Sequence, residues 1–174
     1  FQDLRYTSPI HNLSYNLAST INVGARDWTT NTVNNSSGIV RFVAETVNVN
    51  GLQQFGNNSV NMFTNDMNMT GALLQSNNNF LYKAASNTDS RDIGLGDGAV
   101  GDTIFTSTDI SNLEAGGFDS LAFGNAYNSG TANIDVQDST WTTALSLYAA
   151  SDASITTAGD IDASNNAINL AAGN

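Results

Sequence analysis

Apolar and polar residues alternate along most of this chain in short runs, and the runs recur. Val40-Arg41-Phe42-Val43 is followed by Val47-Asn48-Val49-Asn50-Gly51. Twenty residues later Val60-Asn61-Met62-Phe63 is followed by Met67-Asn68-Met69-Thr70-Gly71, and Asn57-Asn58 returns as Asn77-Asn78. A third copy starts at Phe80-Leu81-Tyr82-Lys83 and dissolves into Asn87-Thr88-Asp89-Ser90. A period of two places one set of side chains inward and the other outward, which is the pattern of a half-buried strand. The runs are too short for amphipathic helices, and their Val, Thr and Asn content lowers helix propensity. Each copy is therefore read as two short strands separated by a corner.

The second half continues with looser spacing. Ile93-Gly94-Leu95 and Ile104-Phe105 are short apolar pieces; Leu121-Ala122-Phe123, Ile134-Asp135-Val136, Leu145-Ser146-Leu147, Ile155-Thr156, Ile161-Asp162 and Ile168-Asn169-Leu170 alternate. Leu121 and Leu145 are 24 residues apart, and Leu145 and Ile168 are 23 apart. The one helical turn expected lies within Asp109–Phe118, capped by Asp109 or Ser111 and ended by Gly116-Gly117. Ahead of the repeats, Leu13-Ser14-Tyr15 and Ile21-Asn22-Val23 read as strands in a less regular opening stretch.

A repeat of about 20 residues holding two or three short strands is the mark of a solenoid, because one coil has no means of burying its own apolar side. Stacking coils at ~4.8 Å pairs every backbone group with the coil above and below. Inward residues then form ladders, here Val40/Val60/Phe80 and Val49/Met69, and corner residues such as Asn57/Asn77 form ladders of side-chain amides. The fold expected is all-β: a single right-handed parallel β-helix over residues 1–174, with coils of about 20–24 residues. Residues 1–38 form its less regular start, 39–90 its regular coils and 91–174 looser, acidic coils.

Charge changes this picture in one respect. The chain carries 5 Lys and Arg against 16 Asp and Glu, for a net charge of −11. Every base lies at or before Arg91, where five acids balance them; beyond it stand eleven acids and no base. Nucleic acid is excluded as a partner, since phosphate contacts need Lys and Arg, and anionic membrane surfaces are equally unattractive. No apolar run approaches the ~20 residues of a membrane span. Without cysteine there are no disulfides and no thiolate metal sites. The opening Phe1-Gln2-Asp3-Leu4-Arg5 does not read as a signal peptide, so a processed chain or an excised piece of a longer one is expected.

Little of the sequence carries chemistry. His11, the single histidine, stands near Pro9 in a stretch that reads as a surface loop. With no Cys and no second His, zinc or copper sites and Ser-His or Cys-His nucleophile pairs are nearly excluded. Asp135/Asp138 and Asp160/Asp162 are paired acids of the kind used by polysaccharide lyases and hydrolases on this fold, but no basic residue lies near them in sequence. Asp160 and Asp162, two apart on a strand, are expected to point the same way. The stretch Gly94-Leu95-Gly96-Asp97-Gly98-Ala99-Val100-Gly101-Asp102 holds one imperfect copy of the calcium-binding nonapeptide, which makes Asp97 and Asp102 the calcium candidates and a glycine-rich corner the plainer reading. Trp28 and Trp141, each followed by two threonines, are candidates for sugar or ice contact if exposed and for core or corner packing if not. The glycosylation triplets at Asn12, Asn34, Asn57 and Asn68 arise readily in a chain this rich in Asn and Ser.

From Arg91 the chain reads RDIGLGDGAVGDTIFTSTDISNLEAGGFDSLAFGN, then NIDVQD, then ALSLYAASDASITTAGDIDASNNAINLAAGN. In order and spacing this resembles the repeats of filamentous-haemagglutinin-like bacterial exoproteins, and the units VRFVAETVNVNG and VNMFTNDMNMTG resemble that family's preceding coils. The resemblance covers roughly residues 38–174. It implies a right-handed parallel β-helix, export across an outer membrane, and a role in adhesion or surface structure. The function expected is thus a non-enzymatic, extracellular structural or adhesive module without a cofactor. Its expected partners are a surface glycan or protein receptor, or further copies stacked through coil ends. A carbohydrate-active enzyme on a β-helix is the rival, and a calcium-stabilised, sugar-binding or ice-binding module a third reading.

Overall fold

The structure, a computed structural model, describes residues 12–16, 20–23, 26–27, 38–85, 91–125 and 130–172, with side chains from residue 38 onward. His11, Trp28 and the triplet at Asn34 lie outside the described residues. The chain winds into a β-solenoid of about six turns. Its strands, in chain order, are β1 (Asn12–Asn16), β2 (Thr20–Val23), β3 (Arg26–Asp27), β4 (Ile39–Val49), β5 (Leu52–Gly56), β6 (Ser59–Asn68), β7 (Leu73–Ser76), β8 (Asn79–Lys83), β9 (Ile93–Leu95) and β10 (Thr103–Phe105). A helix, α1 (Ser107–Ala115), precedes β11 (Ser120–Gly124), β12 (Ile134–Val136), β13 (Ser139–Thr140), β14 (Ala144–Tyr148), β15 (Ile155–Thr157), β16 (Ile161–Asp162) and β17 (Ile168–Ala171).

Every ladder is parallel, and each face of the solenoid is a column of strands from successive turns. The first face runs β1-β4-β6-β8-β11-β14-β17, with β2 also on β4. The second holds β10-β9-β12-β15; the third holds β3-β5-β7 and, higher up, β13-β16. The inward ladder Val40/Val60/Phe80 forms as the 20-residue repeat demands, and it continues through Leu121, Leu145 and Ile168. Val49 and Met69 are both buried, next to the paired Asn48 and Asn68. The amide ladder is present as well: Asn77 Nδ2 donates to Asn57 Oδ1 at 3.3 Å.

Two expectations need correcting. The corner between the paired runs of each early copy does not split them into two strands. β4 and β6 are continuous, and the corner lies inside them. Buried residues fall at 40, 42 and 44 and then at 47 and 49, so the alternation slips by one at Ala44–Thr46. The slip repeats one turn higher at Thr64–Asp66. There the buried Thr64 hydroxyl lies between the carbonyls of Glu45 (3.1 Å) and Asp66 (2.8 Å), satisfying groups the corner would otherwise orphan. Asn65 braces the corner from outside, donating to Glu45 Oε2 and accepting from the Ala85 N–H.

The helix also begins earlier than its expected bounds. Its N-cap is Thr106, whose hydroxyl accepts from Asp109 N while the Asp109 side chain accepts from Thr106 N. Asp109 is thus the third residue of a capping box and not the cap. Gly116 ends the helix as expected, followed by Gly117 at φ +78. The helix stands where the third face would carry its next strand. Gly116 O accepts from Ser76 N of β7 below, and the Glu114 carboxylate accepts from Thr142 N and Thr143 N, next to β13, above.

The turn that contains the helix is twice the usual length. β8 pairs directly with β11 although Asn79 and Ser120 are 41 residues apart. The surplus chain makes β9, returns, and lays β10 parallel beside it, so the second face holds two strands where the first holds only β8. Parallel neighbours usually need a crossover of a dozen residues or so. The short return from Gly96 to Asp102 succeeds because Gly94 and Gly101 have no side chain. A Cβ on Gly94 would lie 3.1 Å from Ala99 Cβ, and one on Gly101 would lie 2.5 Å from Gly94 N. Aromatic rings fill the interior at this level. Phe80 packs on Phe118 and Phe123, Tyr82 on Phe105, and Phe123 on Phe105 and Trp141, with centroids 4.9–6.1 Å apart. Below, the core is mostly Val and Met with Phe42 and Phe55; above, it is mostly Leu, Ile and Ala.

Candidate functional site

The acidic side chains are the only abundant chemistry in this chain, and the fold places them at corners and turns. Asp97 Oδ1 accepts from Ser107 N at 3.0 Å, tying the β9–β10 return to the start of α1. Asp102 Oδ2 accepts from Asp92 N at 2.9 Å, and Asp92 in turn holds Asn133 through its N–H at 2.7 Å. Asp135 Oδ2 accepts from Val100 N at 2.7 Å and from Gln137 Nε2, while its other oxygen meets Thr156 Oγ1. Asp162 Oδ1 closes a turn on Ser164 N at 2.8 Å. Each of these carboxylates accepts a charge-assisted hydrogen bond from at least one backbone N–H.

The glycine-rich stretch around Asp97 and Asp102 is therefore the tight return described above, with φ of +99 at Gly96 and +87 at Gly98. Its two acids hold different backbone donors. Among the described residues, no group of three or more His, Asp or Glu side chains converges in the manner of a metal site. Asp138 and Asp160 occupy equivalent places on adjacent turns, one residue before the paired Ser139 and Ile161. Asp160 and Asp162 are both exposed on the outer surface of the last coils. The described cations stand elsewhere. Arg41 and Lys83 flank the Phe63 ring on the outside of the first face, at 5.0 and 4.4 Å, and Arg91 reaches Glu45 at 3.7 Å across an exposed corner. Burial, and after it the Arg41 guanidinium, hold the Lys83 ammonium below its ordinary 10.5.

Trp141 is wholly buried, its indole N–H donating to Ser139 Oγ at 2.9 Å, so it serves the core and not a sugar-binding surface. Asn57 is engaged in the corner ladder, and Asn68 Oδ1 accepts from Thr70 N.

Two concavities on the described surface bear on a site. A recess at the ends of β8, β11 and β14, bordered by Lys83, Arg91 and Tyr148, has room for about 10 Å³, the space of one water. The other is a cleft of about 310 Å³ on the third face, below α1, lined by Gln54, Gly56, Gln75, Ser76, Asn77 and Gly116. Sequence reasoning found Asn77 only as a ladder residue and passed over Gln54 and Gln75 altogether. Those two are Cα partners in β5 and β7, but a bulge between Gln54 and Gly56 takes them off the 20-residue offset that reveals the other ladders. Comparison with protein-family models, with curated proteins and with solved structures found no match to this chain.

Proposed function

We propose that this chain is a non-enzymatic, extracellular β-solenoid module that gives a secreted surface protein its length and an adhesive exterior. The observation that carries this reading is the use of the acids. Asp92, Asp97, Asp102, Asp109, Glu114, Asp135 and Asp162 each accept from a backbone N–H at a turn, a cap or a corner. A general acid or nucleophile needs a carboxyl aimed at an open cleft, with a second group placed to share the proton or the charge. Here the carboxylates act as braces for a stack of coils. The ordered motifs after Arg91, similar to exoprotein repeats, support the extracellular and adhesive parts of the reading.

Incubating the purified chain with neutral and acidic polysaccharides, and assaying for new reducing ends and for unsaturated uronates, tests the non-enzymatic part. Binding to cell surfaces or immobilised glycans without turnover is the expected result. Turnover that disappears in Asp160→Ala would overturn the reading in favour of a carbohydrate-active enzyme.

A further inference from the structure

We propose that the cleft beneath α1 binds a neutral glycan, whose hydroxyls are held by the side-chain amides of Gln54, Gln75 and Asn77. The inference rests on the adhesive reading above and names its class of ligand.

The cleft lies where a helix takes the place of a strand. A strand occupies ~4.8 Å along the column, whereas a helix with its side chains is about 10–12 Å across. α1 is seated on β7 through Ser76 N and Gly116 O (3.0 Å), and its C-cap Gly116 borders the cleft together with Asn77 and residues of β5 and β7. The space, about 310 Å³, falls at the lower end of small-ligand sites and is open to solvent, so a longer chain can run through it.

The lining selects the ligand. Every residue of it is uncharged, in a protein of net charge −11. An anionic ligand meets long-range repulsion with no cation in the lining to offset it, and Asp27, the Cα partner of Gln54 one rung below, adds a further negative charge on that face. A side-chain amide offers two donors and a carbonyl acceptor in one plane, which suits hydroxyl groups that both donate and accept. Gln54 and Gln75 are Cα partners on adjacent rungs, which places their amides about one strand spacing apart. Asn77 is steadied by Asn57 at 3.3 Å, and the Ser76 hydroxyl is turned to the carbonyls of Gly56 and Asn58. The protein's own hydrogen bonds among the described residues thus engage Ser76 and Asn77 and leave the Gln54 and Gln75 amides to whatever enters the cleft.

The test titrates the purified chain with uncharged oligosaccharides, and with sulfated and carboxylated ones in parallel, while following the side-chain amide NMR signals of Gln54, Gln75 and Asn77. Saturable shifts of these signals with an uncharged oligosaccharide, insensitive to salt, are expected. The Gln54→Ala/Gln75→Ala double variant should weaken that affinity about tenfold, the worth of two modest hydrogen bonds, without moving the melting temperature. Should the double variant lose stability, Gln54→Ala alone, at an exposed position, must still weaken binding. Shifts only with charged oligosaccharides, or an affinity unchanged in these variants, would overturn the proposal. Adhesion of the wild type that persists in the double variant sinks the cleft and spares the adhesive reading. A wild type that binds no glycan and no cell surface sinks both.

Discussion

Single residues here answer to the stacking above and below them more than to their neighbours in sequence. Gly101 is pressed against the backbone of Asp92, Ile93 and Gly94, so a methyl group at that position has no flexible neighbour to displace. Gly101→Ala is expected to cost about 1–3 kcal/mol, the range for forcing extra volume into packed structure, and a denaturant melt measures it. Lys83 makes a different prediction. Its pKa in the folded chain is lowered, by burial first and by Arg41 second, from an unfolded value near 10.5. Between the two values the unfolded chain binds more protons than the folded one, so this residue's contribution to stability rises with pH across that window. Stability measured through the alkaline range should therefore rise less steeply in Lys83→Gln than in the wild type. A difference between the two curves that stays constant with pH would contradict this linkage.

At the scale of elements, α1 is the piece whose attachments are most clearly local. Thr106→Ala removes one half of the capping box and should cost about 1 kcal/mol. Glu114→Ala should cost more, about 1.5–3 kcal/mol, because that carboxylate holds the N–H groups of both Thr142 and Thr143 and the Thr142 hydroxyl, which join the helix to the next coil. Chemical denaturation of the two variants checks the ranking. This element also marks how far sequence reading reached. Gly116-Gly117 placed the end of the helix because a C-terminal glycine has a backbone reason to be there. The start is earlier than Asp109 or Ser111 would place it, because Thr106 is the cap and Asp109 completes the box three residues on. The 20-residue ladders were legible because Val40, Val60 and Phe80 repeat in both spacing and character. The corners were legible as breaks between the runs, but the continuity of β4 and β6 through them was not, since the one-residue slip at Ala44–Thr46 and Thr64–Asp66 reads in sequence as the end of one strand and the start of another. The cleft was out of reach for a related reason: it brings Gly116 beside residues of β5 and β7 that lie far from it in sequence, and no local pattern records that.

Across the whole molecule, stability should grade along the axis, because each coil rests on its neighbours. The rings from Phe80 to Trp141 are buried in the middle turns, whereas Ile168 and Leu170 in β17 are 39% and 51% exposed. Amide hydrogen exchange is expected to be slowest in β6, β8 and β11 and fastest in β15, β16 and β17. Uniform protection from end to end would indicate that the stack opens as one unit. The doubled turn bears on the molecule in another way. Between β8 and β11 the chain adds two rungs to the second face and a helix to the third, and it returns to the first face at β11 with Phe80 still beneath Leu121. The amount of chain between two rungs is thereby uncoupled from the pitch of the column. One face can thus carry an additional rung without re-registering the coils beyond it, and a foreign epitope grafted into the exposed β9–β10 return would be displayed at a fixed height on the shaft.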